Sequence, residues 1–169
     1  MERVILVDEN DNPLGTMEKM EAHEKGVLHR AFSVFIFNSN GEMLLQQRAF
    51  SKYHSGGLWT NTCCSHPREG EPTIEAAHRR LQEEMGFDCE IEKAFDFIYK
   101  KSLDRGLIEH ELDHVFIGEF EGEVKFNPEE VSAYTYKSVQ EVLSEVLQFP
   151  TKYTEWFKIC LEEVVKRTL

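Results

Sequence analysis

The chain has 169 residues, 41% hydrophobic and 30% charged, and its 31 acidic residues against 19 Lys and Arg give a formal net charge of −12. That length and balance describe one globular unit, residues 1–169, with enough interior to fold without disulfides, and they exclude a disordered chain. So acidic a chain argues against a general nucleic-acid or anionic-membrane binder, although a small anion needs only a local basic or metal-bearing pocket.

Arg3 to Val7 reads as a strand, closed by the turn signal Asn10-Asp11-Asn12-Pro13. This N-terminal segment has a short apolar stretch and early acids, so it does not read as a signal peptide. No apolar run approaches the roughly 18 residues that span a bilayer. Ala31 to Phe37 is rich in β-branched and aromatic residues and meets Met43 to Arg48 across Asn38-Ser39-Asn40-Gly41, a hairpin signal. Ala49 to Leu58 is a loop, and Trp59 to Cys64 is a short extended stretch. Thr73 is the expected N-cap of a helix that stops at Gly86, with Ile74, Ala77, Leu81 and Met85 as its apolar stripe. Strands are expected over Cys89 to Lys100 and Ile108 to Phe120, separated by a polar gap. Ser138 and Glu141 form a capping box ahead of the apolar run Val142 to Leu147. Thr151 to Thr168 carries two adjacent stripes, Trp156/Cys160/Val164 and Phe157/Leu161/Val165, and reads as an amphipathic helix. Strands, a helix, strands and two helices describe an α+β domain with helices packed on a mixed sheet. Cys63, Cys64, Cys89 and Cys160 read as reduced thiols of a cytoplasmic protein.

Several residue types point to metal and anion chemistry. Glu109 and Glu111 are two apart in an expected strand, so both carboxylates lie on one face and repel unless a cation joins them. His23, His29 and His66 add three imidazoles; imidazole suits Zn, Mn or Fe, and carboxylate suits Mn or Mg. Taken singly, each has an ordinary explanation as a core-edge histidine or a solvated strand acid. Arg79/Glu83 and Arg80/Glu84 are i,i+4 pairs of the kind that decorate exposed helices; Glu84 also suits magnesium, and Arg80 a phosphate. Cys64 is an inert thiol or an acid–base group, and position does not decide between them. On spacing alone, Trp156 and Tyr99 are core aromatics, and Lys19, Arg48 and Lys52 are solvated charges.

The helix resembles the Nudix box, G-x(5)-E-x(7)-R-E-U-x-E-E-x-G-U, with Glu71, Arg79, Leu81, Glu83, Glu84 and Gly86 in register and Phe87 close to the last position. Ser65 replaces the first glycine, and Arg80 replaces the first glutamate of the R-E pair. Those departures come with Trp59-Thr60-Asn61-Thr62-Cys63-Cys64-Ser65-His66-Pro67, Leu14-Gly15-Thr16-Met17-Glu18-Lys19, Arg48-Ala49-Phe50-Ser51-Lys52 and Glu109-His110-Glu111. Together they resemble the type 1 isopentenyl-diphosphate isomerase family over nearly the whole chain. The resemblance implies a Nudix-like fold and a 1,3-allylic proton shift between isopentenyl and dimethylallyl diphosphate. It implies Cys64 and Glu111 as the acid–base pair, with Tyr99 hydrogen-bonded near Glu111. His23, His29, His66, Glu109 and Glu111 would hold Mn2+, Mg2+ or Zn2+, and Glu84 would help hold a Mg2+ that travels with the diphosphate. Lys19, Arg48, Lys52 and Arg80 would grip the diphosphate, and Trp156 would cover the hydrocarbon end. The expected partner is this small allylic or homoallylic diphosphate, not nucleic acid or membrane, and the expected state is a monomer or weak homodimer. A Nudix-type diphosphate hydrolase and a non-catalytic metal-binding domain are the competing readings; Arg80 weighs against the first, and Cys64 with Glu111 against the second.

Overall fold

The computed structural model describes residues 2–168. Strand β1 (Arg3–Val7) turns into β2 (Pro13–Glu18), which runs into the short helix α1 (Lys19–Lys25). Then come β3 (His29–Phe37), β4 (Met43–Arg48), the loop at 49–58, β5 (Trp59–Thr60) and β6 (Cys63–Ser65). Helix α2 (Thr73–Met85) leads to β7 (Ile91–Ser102), β8 (Ile108–Glu119) and β9 (Val131–Lys137), and α3 (Val139–Gln148) and α4 (Glu155–Thr168) end the chain. The expected α+β class holds, with three elements added. β2 and β9 are half-exposed strands without clean alternation, and α1 has only seven residues, too few to establish a helical period.

Two helix starts differ from expectation. Pro72, not Thr73, occupies the cap position of α2, its φ of −58° and ψ of 140° leading the chain into the helix without a side-chain cap. Proline has a carbonyl to offer, and Ala76 N–H donates to it at 3.0 Å. Pro150 opens a single 3-10 turn, so the last helix begins at Glu155 rather than Thr151. The capping box at α3 is present: Glu141 N–H donates to Ser138 Oγ at 3.2 Å.

The nine-stranded sheet is organised around β3. β8 runs parallel to it over its whole length, from His29 opposite Glu111 to Phe37 opposite Glu119. Its other edge meets β1 at His29, β6 at residues 32–34 and β4 at Phe37. Both faces of β3 are covered, which is why it reads as a continuous apolar run. Phe32, Val34 and Ile36 pack with Ala76, Ala77, Leu81 and Met85 of α2. Ile74 departs from the expected stripe and is exposed. Phe35 and Phe37 pack on the other face with Phe157, Leu161 and Val164 of α4. Both stripes of α4 are buried as expected.

Alternation then sorts the polar residues. His29 and Ser33 share the α4 face of β3 with Phe35, and Glu109, Glu111 and Asp113 share it on β8 with Val115. Cys64 pairs with Ser33 and takes the same face, whereas Cys63 pairs with Val34 and joins the α2 core. One face of the sheet thus changes from apolar to polar partway along, and the polar half is the site.

Gly86 ends α2 at a φ of +73°, and a Cβ there would stand 2.2 Å from the Lys125 carbonyl oxygen. Gly41 has nearly the same φ, +74°, but open space around it. Gly41→Ala should cost only the left-handed penalty, about 1 kcal/mol, and Gly86→Ala distinctly more because backbone must also move. Denaturant midpoints of the two variants measure this, and equal losses would show that the close approach at Gly86 has no energetic weight.

Candidate active site

Short elements carry the expected ligands to one point. His23 comes from α1, His29 from the start of β3, His66 from just beyond β6, and Glu109 and Glu111 from β8; each is at most 6% exposed. The rings of His23 and His29 are 5.0 Å apart, and those of His29 and His66 5.1 Å. Backbone carbonyls fix two of the tautomers. His23 Nδ1 lies 2.8 Å from the Lys19 carbonyl, and His29 Nδ1 2.8 Å from the Val27 carbonyl. A carbonyl only accepts, so each Nδ1 carries a proton and a neutral ring keeps its lone pair on Nε2.

The Nε2 atoms of all three rings face carboxylates. His29 Nε2 is 3.1 Å and His66 Nε2 2.8 Å from Glu111 Oε2, and His23 Nε2 is 3.9 Å from Glu109 Oε2 without a hydrogen-bond partner. A neutral imidazole lone pair against a carboxylate oxygen repels in a dry interior, unless a proton or a cation lies between them. Donor atoms of His23, His29, His66 and Glu111 all lie within 4.8 Å of one another. The residues therefore fit a divalent ion, and the mixture of imidazole and carboxylate is of the type that suits Mn2+ or Zn2+.

Tyr99 joins the two acids. Its hydroxyl lies 2.5 Å from Glu109 Oε1 and 2.7 Å from Glu111 Oε1. Burial and the two carboxylates push its phenol well above the ordinary range, so it is a donor here. Burial alone would raise Glu111, whereas a proton on the facing Nε2 of His29 and His66, donated to the carboxylate, holds it well below the usual range. Asp113 goes the other way: burial, reinforced by Glu111, pushes it well up, with Ser33 Oγ donating to it at 2.8 Å. Asp113 lines the cleft and escaped the sequence reading, although it continues the period-two series of Glu109 and Glu111. His54, which also lines the cleft, had no such signal because it sits in an irregular loop.

The cleft is lined by Lys19, Arg48, Lys52 and Arg80 together with Cys64, His66, Glu109, Glu111 and Trp156. Each of three bases leans on an acid: Lys19 on Glu2 at 2.9 Å, Lys52 on Glu130 at 2.6 Å, and Arg80 on Glu130 at 3.2 Å. Arg48 donates to the His54 carbonyl at 3.2 Å, sits 3.9 Å from Cys64 Sγ, and leaves its Nε without a partner. Trp156 is buried at the start of α4, its Nε1–H donating to Asn61 Oδ1 at 3.2 Å, with Arg48 over its ring at 5.2 Å. Glu84 stands apart from the cluster of histidines and carboxylates. It does not line the cleft; Arg80 holds it at 2.8 Å and Gln46 at 3.0 Å. Glu71 and Glu83 of the box are also engaged, by the Arg79 guanidinium at 2.8 and 3.0 Å.

A fold of this kind, with a glutamate-rich helix against a mixed sheet, defines a class. The family model described as NUDIX domain matches residues 27–157, and the chain belongs to that family. The crystal structure of DR0079 from Deinococcus radiodurans aligns with a TM-score of 0.78 at 19% identity, covering 99% of both chains. The MutT protein of Methanosarcina mazei Go1 aligns with a TM-score of 0.69 at 19% identity, over 83% of this chain and 94% of that one. Those likenesses show the fold alone. Sequence relatives narrow the class. The isopentenyl-diphosphate Delta-isomerase of Pectobacterium atrosepticum is 55% identical over 95% of this chain and 90% of its own length. Isopentenyl-diphosphate Delta-isomerase 2 of Aromatoleum aromaticum is 51% identical over 97% and 87%. Within the Nudix proteins, this chain belongs to the isopentenyl-diphosphate Delta-isomerases.

Cys64 makes the chemistry of the cleft testable without substrate. Burial among the cleft walls pushes its thiol well up, with Arg48 opposing only in part, whereas Cys89 is pushed only to about 11. A higher pKa leaves less thiolate at a given pH. At pH 8, iodoacetamide should therefore alkylate Cys64 more slowly than a free cysteine peptide and more slowly than Cys89, as read by peptide mass spectrometry. Labelling of Cys64 ahead of Cys89 would contradict this reading of its surroundings.

Proposed function

We propose that the chain interconverts isopentenyl diphosphate and dimethylallyl diphosphate by giving a proton on one side of the substrate and taking one on the other. The observation that carries this reading is the placement of Cys64 and Glu111. They sit on strands at opposite edges of β3, on the same face, and line one cleft. An acid–base pair for a 1,3-shift needs that layout, because the two carbons concerned flank the central carbon.

The substrate double bond is unactivated. A proton delivered to its terminal carbon takes the π pair into a new C–H bond and leaves a tertiary cation. Loss of a proton from the carbon on the diphosphate side returns that C–H pair as the new double bond. Water would trap the cation, so the cleft must be closed and apolar where it forms. Trp156 supplies an aromatic face there, worth up to about 2 kcal/mol to a desolvated cation. Tyr99 holds the oxygen of Glu111 that faces away from the histidines, fixing the carboxylate for its part in the transfer.

The ion for which His23, His29, His66, Glu109 and Glu111 fit would be Mn2+, Mg2+ or Zn2+, and would supply orientation of Glu111 and a tuned proton affinity there. Lys19, Arg48, Lys52 and Arg80 grip the diphosphate. Glu84 would be the carboxylate for a Mg2+ that accompanies the diphosphate, an ion that would offset part of the substrate's charge. Arg80 where hydrolases of the fold carry a glutamate favours holding a diphosphate intact over cleaving it. No helix among the described residues is long and apolar enough to cross a membrane. The four unbridged thiols support a cytoplasmic setting, and the single continuous sheet supports one domain; the state proposed is a monomer or weak homodimer.

Incubation with isopentenyl diphosphate and Mg2+ in heavy water, followed by NMR, tests the reaction. Deuterium-bearing dimethylallyl diphosphate is the expected product; released phosphate would point to a hydrolase, and no conversion by protein that holds its metal would point to a binding domain. Cys64→Ala should lose turnover by at least about 100-fold, the scale of an acid–base group, while keeping its metal. Turnover at the parent rate would remove Cys64 from the mechanism. Stripping the ion with a chelator should abolish turnover, restored by Mn2+ or Zn2+, and should lower the melting temperature, since binding to the folded state alone stabilises it.

A further inference from the structure

One imidazole at this centre has no role in the scheme above. His54 is 1% exposed, and its Nε2 lies 3.1 Å from Glu109 Oε2. Despite that separation, Nε2 is buried without a hydrogen-bond partner, because the ring does not aim an N–H at the oxygen. Its Nδ1 is 3.0 Å from Ser55 Oγ, which can accept the ring proton and leave Nε2 with its lone pair. His23 and His29 are set up the same way, with backbone carbonyls in place of the hydroxyl.

The spacing repeats as well. The 3.1 Å from His54 to Glu109 Oε2 equals that from His29 to Glu111 Oε2. Neighbouring donors on one ion, each about 2.1 Å from it, stand about 3 Å apart. Each carboxylate has two imidazoles at its Oε2: His29 and His66 at Glu111, His23 and His54 at Glu109. The donor atoms of His23, His54 and Glu109 lie within 4.8 Å of one another, and His23 belongs to both groups.

The loop is shaped to hold the ring. Ser55 has a φ of +53°, an uncommon conformation for a residue with a side chain, and Asp104 Oδ1 accepts its N–H at 3.0 Å. Arg48 donates to the His54 carbonyl, and Tyr53 and Trp156 stand edge-on to the imidazole at 4.3 and 5.8 Å.

We propose that His54 is a fourth imidazole donor to the metal centre, so that four histidines with Glu109 and Glu111 offer six protein atoms to one divalent ion. This rests on the metal centre proposed above. A shell closed by protein leaves no position for water or substrate, so the ion's task is confined to orienting and polarising Glu111.

X-ray absorption on the Zn2+-loaded protein counts the imidazoles directly. Four are expected in the unmodified chain and three in His54→Gln, with at least about tenfold weaker Zn2+ binding in the variant. Three imidazoles in the unmodified chain, or an equal number in both, would overturn the assignment and leave His54 an outer partner of Glu109. The unmodified spectrum decides even where the variant folds poorly. Failure of the unmodified chain to take up any ion, with His29→Ala indistinguishable from it, would instead remove the metal centre itself.

Discussion

Two carboxylates buried side by side set the terms for this structure. Glu109 and Glu111 are 3% and 5% exposed on one face of β8, where ionised neighbours repel and desolvation is costly. Nothing hydrophobic can relieve that; imidazoles, a phenol and a cation can. The parallel register of β8 on β3 brings His29 opposite Glu111, and α1 and β6 each end where a histidine must come in from the side. The apolar half of the same face, Phe35, Val115 and Phe157, supplies the stability that the polar half consumes.

Much of this was legible before any coordinates. Wherever a pattern is long enough, the chain announces itself: β3 by its apolar run, α2 by Ala77, Leu81 and Met85, α4 by its double stripe. The shared face of Glu109 and Glu111 follows from strand geometry alone. What stayed hidden lacks a period. α1 is two turns long, β9 is a half-exposed edge, and His54 is placed by a left-handed serine and an aspartate 49 residues on in sequence. Thr73 misleads because Pro72 takes the cap position and the helix starts without a side-chain cap. Convergence of His23, His29 and His66 is a tertiary fact, and spacing alone could not select them; the family resemblance did.

The Nudix helix keeps its architecture while its electrostatics are turned to a different end. Arg79 clasps Glu71 and Glu83, and Arg80 clasps Glu84, so the acids of the box are neutralised by the helix's own guanidinium groups. One face of that helix is core, against Phe32, Val34 and Ile36; the other is an internally balanced charge lattice from which only Arg80 enters the cleft. The adjacent cysteines show the same division over a single residue step: Cys63 packs in the α2 core, and Cys64 faces the cleft.

The acids that lean on the cleft's bases carry one more consequence. Glu2 and Glu130 already pair with Lys19, Lys52 and Arg80, two acids against three bases. An arriving anion therefore enters by ion exchange, not by filling a field of bare positive charge. A monovalent anion exchanges at no electrostatic profit. A polyanion that meets several bases at once displaces both acids together and leaves Arg48, with its unpartnered Nε, as an added anchor. The overall charge of −12 and the occupied bases act as one filter. Both work against small anions and favour a ligand whose charge is high enough, and compact enough, to compete with carboxylates on their own ground.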